Sequence, residues 1–75
     1  MKLTVIIEKD QEGYYAYCPE LKGCHTQGDT LDEVMQNIKE AVELYLETMS
    51  KEEKMEFLNR DIMTAVMEIG VGQTA

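Results

Sequence analysis

The sequence predicts an α+β fold. An antiparallel sheet of three N-terminal strands plus a C-terminal strand carries one long helix packed on one face and a short second helix, in the order β-β-β-α-α-β. Three observations carry this expectation. The N-terminal third alternates short β-prone runs with polar, glycine-bearing turns. The stretch 31–49 then repeats apolar side chains at spacings of three and four. The chain has 75 residues, 44% of them hydrophobic and 29% charged, which is the composition of one small globular domain with a modest core.

Leu3 to Glu8 is short and rich in β-branched side chains, which suit a pleated, half-buried surface, and is the first predicted strand. Lys9-Asp10-Gln11-Glu12-Gly13 forms a hairpin connection of three to five residues, with Gly13 available for positive φ. Tyr14 to Cys18 is the second strand, and Pro19, which has no N–H to donate, stops its ladder. Glu20-Leu21-Lys22-Gly23 is a turn, and Cys24 to Gln27 a third strand closed by Gly28. Thr30-Leu31-Asp32-Glu33 reads as a capping box that starts the long helix, which runs to about Thr48. Leu31, Val34, Met35, Ile38, Ala41, Val42, Tyr45 and Met49 make its apolar face. Ser50-Lys51-Glu52-Glu53 is a second capping box, opening a helix to about Asn59 with Met55 and Leu58 turned inward. Ile62 to Ile69 reads as the final strand, followed by a frayed tail from Gly70 to Ala75.

Alternation adds a constraint. Leu3, Val5 and Ile7 share one face of the first strand, with Ile6 on the other. Met63, Ala65, Met67 and Ile69 share one face of the last, with Ile62 and Val66 opposite. One helix cannot cover both sides of a sheet, so a second chain is expected to bury the remaining face or the last strand's edge. Ile62, Val66, Met67 and Ile69 are the candidates for self-association, as a homodimer or higher oligomer.

The charge narrows the partners. Seven basic residues against fifteen acidic ones leave −8, with a pI near 4.4. That argues against direct binding to nucleic-acid phosphates or anionic lipid and suits a basic protein partner. No stretch approaches the roughly 20 apolar residues of a membrane helix. The first apolar run stops at Glu8, too short for a signal peptide, so a cytoplasmic protein is expected, with its two cysteines as thiols.

Catalytic readings are weak. Cys18, Cys24 and His25 fall short of the roughly four ligands and tight cysteine knuckle of a zinc site, so small buried thiols are expected instead. Adjacent strand residues diverge, so His25 is poorly placed to activate the Cys24 sulfur. Glu8 and Asp10 sit at a strand end, and most other acids decorate outer helix faces, which reads as a solvated acidic surface. Gly28-Asp29-Thr30 precedes a helix but lacks the glycine-rich loop and lysine of a phosphate cradle, leaving helix capping. Tyr14, Tyr15 and Tyr17 lack the positive charge of a base-stacking platform, leaving core packing or a protein interface.

Together the runs Val5-Ile6-Ile7-Glu8-Lys9-Asp10, Gly13-Tyr14-Tyr15-Ala16-Tyr17, Pro19-Glu20-Leu21-Lys22-Gly23-Cys24 and Thr26-Gln27-Gly28-Asp29-Thr30 closely resemble the HicB-type antitoxin family. The resemblance continues along the long helix to about residue 48. It implies a partial ribonuclease-H-like fold without the nuclease acids, in a single domain over 1–75 with no separate DNA-binding domain. It further implies a non-enzymatic antitoxin of a type II toxin–antitoxin pair, requiring no metal or cofactor. Its partner would be a small basic HicA-type ribonuclease toxin whose RNA-binding site it covers. Complementary charge would speed that encounter. Longer members carry a helix-turn-helix or ribbon-helix-helix domain, whereas this sequence continues with one short acidic helix and one predicted strand. Aromatic side chains flanked by acids commonly anchor interfaces, which makes Asp10, Glu12, Tyr15 and Tyr17 the candidate toxin-binding residues. The alternatives are an orphan homo-oligomeric binding module and a residual metal-dependent nuclease.

Overall fold

The computed structural model describes residues 2–72, with Leu58 described for its backbone alone. Three antiparallel strands, β1 (Ile6–Asp10), β2 (Gly13–Tyr17) and β3 (His25–Gly28), lie in the order β1-β2-β3. Two helices follow, α1 (Leu31–Glu47) and α2 (Lys51–Leu58). The α+β class, the three N-terminal strands and the long and short helices are as the sequence predicts.

The hairpin is tighter than expected. Lys9 and Asp10 stay in the ladder, paired with Tyr14 and Gly13, so only Gln11 and Glu12 make the turn. The Asp10 carboxylate accepts the Glu12 N–H at 2.8 Å, and Gly13 takes φ +133°, where a side chain would be strained. β1 begins three residues later than predicted because its partner ends: Ile6 pairs with Tyr17, and β2 stops there. Residues 3–5 lie alongside without a ladder partner in β2. Thr4 is instead held by Glu20, whose carboxylate accepts the Thr4 N–H at 3.0 and 3.1 Å and its hydroxyl at 3.0 Å.

The Thr30 hydroxyl caps α1 by accepting the Glu33 N–H at 3.1 Å. Ser50 and Glu53 make both bonds of the capping box in α2. The core lies between α1 and one face of the sheet: Ala16, Cys18, Leu21, Cys24, Val34, Ile38 and Phe57. Asn37 donates to the Gln27 carbonyl at 2.8 Å, and the Tyr45 hydroxyl to the Lys22 carbonyl at 2.9 Å, tying α1 to β3 and to the preceding turn. α1 therefore packs across β2 and β3, and β1 overhangs it.

Three expectations are corrected. The segment 60–71 joins neither the sheet nor a helix, so the predicted strand Ile62–Ile69 does not form a fourth member of this sheet. Among the described residues it pairs with neither the outer edge of β1 nor that of β3. In α2 the inward residue is Phe57, while Met55 is 63% exposed; the Leu58 side chain lies outside the described residues, as do residues 73–75 of the predicted frayed tail. Leu31 and Met35, assigned to the buried face of α1, are about half exposed because β1 lies beyond the helix's cover.

Candidate functional site

Alternation sorts the sheet into two faces. Ile7, Ala16 and Thr26 align across the strands on the helix-covered side, where Ala16 is fully buried. Ile6, Glu8 and Asp10 of β1, Tyr15 and Tyr17 of β2, and His25 and Gln27 of β3 project from the other side. No element of the described chain covers that face. Tyr14, by contrast, packs partly against the core.

The uncovered face is organised around Tyr15. Its ring lies 5.8 Å from that of Tyr17 and 5.7 Å from that of His25, tilted by 38° and 34°. Such offset aromatic contacts hold the rings in place before any partner arrives. Glu8 and Gln27 flank Tyr15 across the two ladders, and His25 sits opposite Tyr17. Two shallow hollows meet here. One of about 310 Å³ runs along the hairpin past Glu8, Asp10, Glu12 and Tyr15. The other, about 400 Å³, runs past Glu8, Tyr15, Tyr17, Lys22 and His25. Glu8 and Tyr15 line both.

The structure thus brings the four predicted toxin-binding residues onto one continuous surface. Asp10 also shapes the turn, so one of its oxygens is committed to Glu12 N–H. Glu8 and His25 belong to the same surface and were not picked from the sequence. The available signal was the alternation that puts Glu8 beside Ile6 and Asp10, and His25 on the face opposite the buried Cys24. Ile62, Val66, Met67 and Ile69 belong to the C-terminal segment, where Val66, Met67 and Ile69 are 68–103% exposed.

The thiols are poor nucleophiles. Burial pushes Cys18 up to about 11, aided by the hydrogen bond to Glu20 at 3.5 Å and that residue's negative charge. Burial also raises Cys24. Both lie in the core as free cysteines, while His25 points away from them. Burial pushes Glu20 up, but the Thr4 backbone and hydroxyl donors outweigh it and leave the carboxyl below its ordinary range. Among the described residues no three His, Cys, Asp or Glu side chains gather to hold a metal ion. Among the described residues no helix is long and apolar enough to cross a membrane.

The arrangement is an acid-flanked aromatic surface. Residues 3–69 match a family profile described as the HicB-like antitoxin of bacterial toxin–antitoxin systems. The chain belongs to this family. It is 48% identical to a UPF0150 protein of Archaeoglobus fulgidus over 64 residues, which cover 84% of this chain and 93% of the relative. A UPF0150 protein of Helicobacter pylori is 42% identical over 69 residues, covering 92% and 96%. UPF0150 protein Ta0767 of Thermoplasma acidophilum is 54% identical over 52 residues, covering 68% and 75%. No solved structure matches. Membership in the HicB-like family suggests an antitoxin role, a toxin as partner and a function without catalysis.

Proposed function

We propose that this HicB-like chain inhibits a small basic HicA-type ribonuclease toxin in the cytoplasm by laying its uncovered sheet face over the toxin's RNA-binding site. The observation that carries this is the placement of Glu8 and Asp10, with Glu12 in the adjoining turn, beside the Tyr15–Tyr17–His25 ring cluster on the sheet face that α1 does not cover. A surface that binds RNA is basic. Carboxylates on the antitoxin offer it the charge of phosphate, and tyrosines offer flat contact area with little rotamer entropy to lose. The net charge of −8 draws such a partner in from a distance. Tyrosines preorganised by ring contacts fit the anchor role that dominates interface energy. The test is co-purification of the full chain with the product of the adjacent gene, with RNA cleavage assayed for each alone and for the mixture. Support is a stable complex that silences a ribonuclease. An active ribonuclease that neither binds this chain nor is silenced by it refutes the proposal.

A further inference from the structure

We propose that the segment Ile62–Ile69 of one chain docks on a second copy, in the apolar groove between α1 and the residues that precede β1. The groove has a volume of about 430 Å³ and is lined by the apolar Leu3, Val5, Met35, Ile38 and Val42 together with Asp32, Gln36 and Lys39. It exists because β1 overhangs the helix, so the apolar side chains there face each other across a gap. Met35 remains 45% exposed at its rim.

The occupant is identified by three properties of the C-terminal segment. First, its alternation is that of a strand: Met63, Ala65, Met67 and Ile69 fall on one side, and Glu68, the one charge in 62–69, falls on the other. An added strand at the outer edge of β1 would put that apolar side into the groove and leave Thr64, Val66 and Glu68 on the uncovered sheet face. Second, the segment stands away from its own core. Met63 is 89% exposed and Met67 75%, and the described chain spans 54 Å with a radius of gyration of 15.7 Å. A compact chain of this length has a radius near 11 Å. Third, charge selects this segment for contact between copies. Two chains of −8 repel, yet 62–69 carries only −1 of that charge. A like-charged copy therefore meets little repulsion from this segment.

Fully burying an apolar side chain removes roughly 60–120 Å² from water. A reciprocal exchange buries Met63, Ala65, Met67 and Ile69 of each copy together with the grooves they fill, which brings the contact to the order of the roughly 1,000 Å² that marks a stable interface. The groove itself lies on the helix side of the sheet, opposite Tyr15 and Tyr17, so its occupancy is measured apart from toxin binding.

The experiment places a photo-crosslinking benzoylphenylalanine at Met67 of the full chain and mixes isotope-labelled with unlabelled copies. Peptide mass spectrometry then locates the crosslinks, and sedimentation velocity measures the assembly. The expected result is crosslinks between labelled and unlabelled chains that map to residues 3–5 and 35–42. Met67→Glu and Met35→Glu, both at exposed positions that the single chain tolerates, should each weaken self-association by roughly 10- to 100-fold with unchanged circular dichroism. A monomer at all concentrations overturns the proposal. So do crosslinks confined to one chain, or crosslinks between chains that map elsewhere. Crosslinks to the groove only when a toxin is present, and then to the toxin, overturn it as well.

Discussion

Replacing Gly28 by alanine tests how closely the helix approaches the sheet. A methyl group at this position would lie 2.6 Å from the Val34 nitrogen and 2.9 Å from its Cα. Both are backbone atoms of α1 and cannot swing aside. Val34 is fully buried at the centre of the core, so the helix and β3 must separate by several tenths of an ångström. Gly28 is not among the positive-φ glycines, so backbone strain does not confound the result. Overpacking of this kind costs about 1–3 kcal/mol. The lost flexibility of the unfolded chain returns roughly 0.4–1 kcal/mol of that. The net is a destabilisation of about 1–2 kcal/mol. For a domain of this size it lowers Tm by roughly 5–15 °C. Thermal and urea unfolding followed by circular dichroism read it directly, with the urea midpoint falling and the slope unchanged. A Tm equal to or above that of the parent would refute the close approach and remove the physical reason for glycine at the start of the Gly28-Asp29-Thr30 turn.

Other outcomes follow from the same geometry. Glu20→Gln should cost about 1 kcal/mol at neutral pH by weakening the Thr4 clamp, a value discounted for partial exposure. Because the folded carboxyl lies below its ordinary value, its contribution is full above the ordinary carboxylate range and lost as pH falls through the depressed folded value. The difference in Tm between parent and variant should therefore shrink on acidification. The Cys18 thiol, raised to about 11, should resist iodoacetamide in the folded protein at about pH 8. A raised thiol also makes stability fall as pH climbs from the unfolded value near 9 through 11, and urea midpoints across that range should show the loss, with Cys18→Ala reducing it. Thr30→Ala removes the acceptor for Glu33 N–H and should destabilise by about 1 kcal/mol, measured by urea unfolding.

Local signals account for what was legible in the sequence. Cap residues at Thr30 and Ser50 placed both helix starts, and the three- and four-residue spacing found Val34 and Ile38. Residue type alone singled out Asp10, Glu12, Tyr15 and Tyr17, while the faces on which Ala16, Tyr15 and Tyr17 lie follow from the β1–β2 and β2–β3 registers. What was missed depends on partners distant along the chain. β1 starts at Ile6 because β2 ends at Tyr17, and no property of Leu3–Val5 reveals that. Leu31 and Met35 have the spacing of core residues, but their exposure follows from where α1 crosses the sheet. Ile62–Ile69 has a strand's composition, yet composition does not set pairing, and in the described chain the segment pairs with neither free edge of the sheet. His25 was judged as a ligand or base, and its place beside Tyr15 only emerges from the β2–β3 register.

The central claim is that the uncovered sheet face is the toxin-binding surface. Its most direct test is the Kd of the toxin for the parent chain, for the Tyr15→Ala/Glu12→Lys variant and for Met35→Ala on the opposite side. The account predicts a loss of about 30-fold or more for the first variant, with RNA cleavage restored, and no change for Met35→Ala. Unchanged affinity for the Tyr15 variant together with weakened binding by Met35→Ala would contradict it and move the toxin to the helix groove.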